Sequence, residues 1–152
     1  MLKEQLNQLY EEYGYRKFRM SKFEDYDLYA QNKDFLKKGH IITFTDGDGS
    51  LKALKPDITL SIMKSNGGDS EKVYYNENVC REVGGAFREI LQVGVESVGQ
   101  IDPYAEAEVI ALAARSLEQL SPKYVLALSD VSFVGSLLDQ MGLSAPVRGK
   151  VL

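Results

Sequence analysis

Six polar residues, Asp57, Thr59, Arg81, Glu89, Gln92 and Glu96, stand in or beside strand-like runs of the sequence. Charge in such runs is costly unless it faces a pocket, a partner or water. Gln92 and Glu96 are four positions apart, so the two-residue period of a strand puts them on one face, together with Ile90 and Gly94. Gly94 has no side chain, which leaves room above the sheet between the two polar groups. Two acids, Asp57 and Glu96, with Gln92 as a neutral acceptor, suit an ammonium group, while Arg81 suits a carboxylate or a phosphate. A zwitterionic amino acid combines both demands. The same spacing also describes the solvated face of a one-sided sheet, and spacing alone does not choose between the two.

Other chemistries find little support. The chain has one cysteine, Cys80, and one histidine, His40, so it has no internal disulfide and no zinc site without several carboxylates. A Cys–His dyad is formally open. Cys80 ends the alternating run that begins at Val73, however, and reads as a half-buried strand cysteine rather than a nucleophile. His40, between Gly39 and Ile41, reads as a surface or edge histidine at a strand start. Asp46-Gly47-Asp48-Gly49 has carboxylates at alternate positions, as a calcium loop does. An EF-hand loop begun at Asp46 would have Leu51 at its sixth position, where glycine is needed, and its flanks are strand-like. A hairpin turn is the expected use of these residues.

Around these positions the pattern of apolar residues sets out the elements. Leu2, Leu6, Leu9, Tyr10 and Tyr13 recur at helical spacing, and Gly14 stops them. Tyr15 to Phe23 alternates like a strand, and Glu24-Asp25-Tyr26-Asp27 begins a polar connection. Strands are expected at Ile41–Phe44 and Ser50–Leu54, with a short helix over Ile58–Lys64 closed by Asn66-Gly67-Gly68-Asp69. Val73 to Arg81 then pairs antiparallel with Phe87 to Val98 about a Gly84-Gly85 tip. Asp102 followed by Pro103 starts a helix whose buried face is Ala105, Val109, Leu112, Ala113 and Leu120. Tyr124–Leu128 is expected as a strand, and Ser132–Met141 as a last helix capped by Gly142. The order defines an α+β fold, an antiparallel sheet flanked by helices.

Composition narrows the class further. The 152 residues are 44% apolar, enough for the core of one domain, and carry a net charge of −4. The longest basic cluster is Lys37-Lys38, which argues against a nucleic-acid surface working by bulk electrostatics. No apolar run reaches the roughly 20 residues needed to span a bilayer. The opening Met-Leu-Lys-Glu-Gln-Leu-Asn lacks a secretory core, so the cytoplasm is the default location.

Taken together, Leu54-Lys55-Pro56-Asp57-Ile58-Thr59, Asn78-Val79-Cys80-Arg81-Glu82, Arg88 to Gly99 and Asp102 to Glu108 resemble the histidyl-tRNA synthetase-like core of class II aminoacyl-tRNA synthetases. They also resemble its non-catalytic relative, the regulatory subunit of ATP phosphoribosyltransferase. The resemblance runs from the first helix to about Gly142 with the motif order kept. It implies that Asp57 and Thr59 hold the amino group of a histidine-like amino acid, that Gln92 and Glu96 face the same pocket, and that Arg81 matches the motif 2 arginine that meets the α-phosphate of ATP. Tyr13-Gly14-Tyr15 with Phe23-Glu24 resembles motif 1, which implies a homodimer through the N-terminal region.

Departures from the family pattern point away from catalysis. Ser21 stands at the motif 1 proline, Lys55-Pro56-Asp57 replaces Arg-Pro-Glu, and the loop between Arg81 and Arg88 is short, with Ala86 where an arginine is usual. The resemblance therefore implies a regulatory protein without catalytic residues, metal or cofactor of its own, acting in histidine biosynthesis and feedback control beside a catalytic ATP phosphoribosyltransferase subunit. A fragment of a histidyl-tRNA synthetase is the alternative. No motif 3 arginine precedes Leu152, so residues 1–152 are expected to be a single synthetase-like domain truncated at its C-terminus.

Overall fold

A computed structural model of the protein describes residues 2–32, 40–66, 70–143 and 147. Helix α1 (Leu2–Glu12) buries Leu6, Leu9 and Tyr10, as its spacing predicts, while Leu2 remains 37% exposed. The predicted strand Tyr15–Phe23 is in fact two short strands, β1 (Arg16–Lys17) and β2 (Phe23–Asp25), which join different sheets. Next comes α2 (Tyr26–Gln31), where the sequence suggested a polar connection. Its Tyr29 is buried with Ala53 and Leu60, and that packing stabilises six residues too few to hold a helix alone.

Strands β3 (Thr43–Thr45) and β4 (Leu51–Leu54) form the expected hairpin across Asp46–Gly49, and β2 pairs antiparallel with the other edge of β4. Asp46 and Asp48 spend their side chains on the amides of Gly47 and Ser50, both at 2.8 Å. These bonds hold the turn without a cation. Helix α3 (Thr59–Ser65) follows, buried through Leu60, Ser61 and Ile62. The predicted closure at residues 67–69 lies outside the described residues, as does Lys37-Lys38.

The second sheet has the order β1–β5–β6. Strands β5 (Glu71–Val83) and β6 (Ala86–Val98) pair antiparallel along all thirteen positions, from Glu71 opposite Val98 to Val83 opposite Ala86. Gly84 and Gly85, with φ of +62° and +79°, make the two-residue turn that this register requires. β1 adds in parallel, Arg16 opposite Val73.

The two faces of this sheet differ in their cover. Tyr74, Val93 and Val95 face α1 and α4 (Pro103–Leu120), packing with Leu6, Leu9, Tyr10 and Leu112. Val73, Tyr75, Val79, Ile90 and Val98 face α3, packing with Ile58 and Ile62. Asp102 caps α4 by accepting the Ala105 amide at 2.8 Å. Leu112 is fully buried, but Leu120, expected on the buried face, is 59% exposed at the helix end. Leu120 instead borders an open apolar groove of about 580 Å³ with Leu2, Leu6, Leu91 and Leu117.

Residues 1–122 form one compact unit and residues 123–152 another. Within the second, helix α5 (Val131–Gln140) is capped by Asp130, which accepts the Ser132 amide at 2.8 Å. Tyr124–Leu128 does not form the expected strand, and Val125 there is 92% exposed. Its run of apolar residues suggests a strand, yet it makes no strand pairing among the described residues. No described helix is long and apolar enough to cross a membrane.

Candidate functional site

Three segments meet on the α3-covered face of the β5–β6 sheet. The turn before α3 carries Asp57, the first turn of α3 carries Thr59, and the two strands carry Arg81 and Glu96. The Thr59 hydroxyl donates to Glu96 Oε1 at 2.7 Å. Arg81 donates through Nη2 to Asp57 Oδ2 at 3.1 Å and through Nε to the Pro56 carbonyl at 2.7 Å. Asp57 Oδ1 accepts the Leu60 amide at 3.4 Å, so this acid also helps to finish the N-terminal turn of α3.

The register confirms the shared face. Gln92 pairs with Glu77, Gly94 with Tyr75 and Glu96 with Val73, so Gln92 and Glu96 project on the side that holds Tyr75 and Val73. Glu89 is on the opposite face, beside Asn78, whose side-chain amide donates to it at 3.0 Å. It does not join the cluster. Cys80 is a half-buried strand residue, and the exposed His40 meets Glu82 at 2.5 Å. Among the described residues no three of His, Cys, Asp and Glu converge as metal ligands.

One expectation about the floor of the site fails. Gly94 does not leave open space, because the Tyr75 phenol lies over it, and a Cβ at position 94 would sit 2.7 Å from the Tyr75 hydroxyl. Glycine is there to admit the ring. The alternation of Val73, Tyr74 and Tyr75 places Tyr75 on the same face as Arg81, but only the register shows that it stands opposite Gly94.

Electrostatics follow from this crowding. Burial pushes the Glu96 carboxyl above its usual range, the Thr59 hydroxyl pulls it partly back, and the charge on Asp57 adds to the rise. Tyr75 is pushed up to about 12, first by burial and then by Glu96 and Asp57. Lys55 is 2% exposed, and burial lowers its pKa against the opposing pull of Glu77 and Glu24. It donates to the Ser21 carbonyl at 3.1 Å and lies 3.9 Å from Glu77. Sequence reasoning missed Tyr75, Lys55 and Glu77 as neighbours of the site. A lysine two residues before the acid of the site was the available signal for Lys55.

Asp57 with Arg81 and Glu96 with Thr59 thus form two bonded pairs on the α3-covered side of the sheet, and Gln92 projects on the same face. An antiparallel sheet with this hairpin, a parallel first strand and an acid-bearing turn beside it defines the core of a class II synthetase. The chain belongs to the histidyl-tRNA synthetase family, whose model matches residues 1–152. It is 31% identical over 150 residues to a histidine–tRNA ligase of Pyrobaculum arsenaticum, covering 93% of this chain and 36% of that protein. It is 30% identical over 140 residues to the ATP phosphoribosyltransferase regulatory subunit of Oceanobacillus iheyensis, covering 87% of this chain and 34% of that one. Among solved structures, apo Staphylococcus aureus histidyl-tRNA synthetase aligns with a TM-score of 0.62 and 28% identity, over 77% of this chain and 29% of that one. The chain thus spans about a third of the length of the curated relatives it matches.

Proposed function

We propose that the protein is a non-catalytic regulatory subunit of the ATP phosphoribosyltransferase kind, acting in the cytoplasm in histidine biosynthesis and its feedback control. The observation that carries this reading is the β5–β6 turn. With Val83 paired to Ala86, only Gly84 and Gly85 lie outside the ladder, so no loop is left to lie over a nucleotide and no cation stands at position 86. Phosphoryl chemistry depends on cationic groups fixed around the reacting phosphate. Arg81 alone, already shared between Asp57 and Pro56, is a poor substitute and is read as a vestigial phosphate-binding residue.

The ligand of this reading is a histidine-like amino acid held by Asp57, Thr59, Gln92 and Glu96. Its ammonium goes to the two acids. Feedback control then requires that histidine bind one state of the assembly more tightly than another. The partner is the catalytic ATP phosphoribosyltransferase subunit, a role suggested by the Oceanobacillus relative, and the N-terminal region is the proposed homodimer surface. The opposing reading, a synthetase fragment, is favoured by the Pyrobaculum relative and by the retained Arg81.

Two assays separate them. Mixed with a short-form catalytic subunit, the protein should associate with it and confer histidine-sensitive phosphoribosyl transfer. Alone it should show no histidine-dependent pyrophosphate exchange above background. Exchange that is lost in Arg81→Ala would reverse the assignment in favour of a synthetase.

A further inference from the structure

We infer that Arg81 is a built-in competitor for the ligand's ammonium group, an internal cation that occupies Asp57 while the site is empty. This rests on the reading of the cluster as an amino-acid site and adds a control to it. Arg81 is held at two points, the Asp57 carboxylate and the Pro56 carbonyl, so its guanidinium is oriented against the acid rather than swinging free. Its side chain is 41% exposed while that of Asp57 is 21% exposed. Arg81 is thus the more exposed member of the pair. A ligand ammonium bound at Asp57 Oδ2 takes the place that Arg81 holds there.

Both oxygens of Asp57 are already engaged, Oδ1 with the Leu60 amide and Oδ2 with Arg81. Loss of the Leu60 bond would take the side-chain acceptor from an amide in the first turn of α3, which also carries Thr59. Loss of the Arg81 bond costs no backbone pairing of β5. Arg81 is thus the partner that yields, and its release is the toll on every ammonium that binds. Glu96 is held differently, by the neutral Thr59 hydroxyl, with no ion pair among the described residues. Occupancy of Asp57 and the position of an arginine two residues from the hairpin turn become alternatives.

The test uses histamine, which has the ammonium and imidazole of histidine but no carboxylate that Arg81 could bind. Affinity is read by NMR titration of the wild-type chain, Arg81→Ala, Arg81→Gln, Arg88→Ala and Asp57→Asn. Gln can still donate to the Pro56 carbonyl, so it removes the charge while retaining a hold on the loop. Arg88 stands opposite Arg81 in the register and controls for bulk charge. Arg81→Ala and Arg81→Gln should each bind histamine roughly two- to fivefold tighter than wild type, the scale of one partly exposed ion pair. Arg88→Ala, which removes a neighbouring charge but leaves the Arg81–Asp57 pair, should gain less than either Arg81 variant, and adding Arg81→Ala to Asp57→Asn should gain nothing.

Unchanged or weaker histamine binding in both Arg81 variants overturns the inference, as does an equal gain in Arg88→Ala. If histamine binding depends on Asp57 but not on Arg81, the amino-acid site stands and the competitor does not. If neither wild type nor the Arg81 variants bind histamine, both fall together.

Discussion

Glu96 is ionised at an electrostatic disadvantage that its neighbours only partly relieve. Its folded carboxyl titrates above the ordinary value of 4.5, so as pH rises the unfolded chain releases this proton first. The charged group therefore subtracts stability above the folded pKa, and subtracts nothing below the unfolded value, where both states are protonated. Glu96→Gln keeps an acceptor for Thr59 and should raise the melting temperature at about pH 7 while leaving it unchanged at about pH 3.5. Scanning calorimetry at the two pH values checks this, and an equal gain at both would mean that charge is not the cause. The Tyr75 ring over Gly94 gives a second expectation. Gly94→Ala should cost about 1–3 kcal/mol in urea unfolding, because the new methyl drives the phenol aside. Tyr75→Phe made in the same chain should recover part of that loss, since the contacts are shared. At this scale the sequence was half legible. The two-residue period puts Gln92 and Glu96 together, because it depends only on spacing along one strand. The Arg81–Asp57 pair and the Tyr75–Gly94 contact depend on how separate segments align, which spacing along the chain does not encode.

The β5–β6 hairpin is the element that the sequence announced most clearly, since two glycines between two long alternating runs allow few alternatives. Its turn needs positive φ at both central positions. Gly85→Ala should therefore cost about 1–2 kcal/mol in urea unfolding, the steric charge for a Cβ in the left-handed region. Gly84→Asn should change stability by less than about 0.5 kcal/mol, because asparagine tolerates this conformation in such turns. An equal loss for both would mean that the turn is not of this type. Elements whose stability comes from elsewhere were harder to read. Helix α2 depends on Tyr29 fitting against Ala53 and Leu60, contacts invisible in its own six residues. The Tyr15–Phe23 run divides because Phe18 donates its amide to Tyr74 while Phe23 to Asp25 follow β4, so one alternating pattern serves two sheets. Tyr124–Leu128 is a continuous apolar run that makes no strand pairing among the described residues, so apolar character allows a strand without forming one.

At the scale of the molecule, the boundary near residue 122 divides the chain into two compact units, and the segment that follows it has Val125 almost fully exposed. Brief proteolysis should cut first between residues 123 and 130, and the remaining 1–122 unit should still unfold cooperatively. First cleavage within the β5–β6 hairpin would contradict that order. Within this unit, Leu112 ties α4 to α1 and the sheet, and Leu112→Ala should lower stability by about 2–5 kcal/mol by urea unfolding, as a buried leucine deletion does. The parallel pairing of β1 with β5 has a consequence in time rather than in energy. During synthesis α1 and β1 emerge before β5, and Arg16 and Lys17 have no strand to join until Val73 and Tyr74 have been made. The β5–β6 hairpin, by contrast, can zip from its own turn within about 1–10 μs of its last residue becoming available. A strand made well before its partner is thus locked only after that partner has appeared. Until then the apolar side of α1 is an unsheltered surface on the nascent chain, open to whatever chaperone first reaches it.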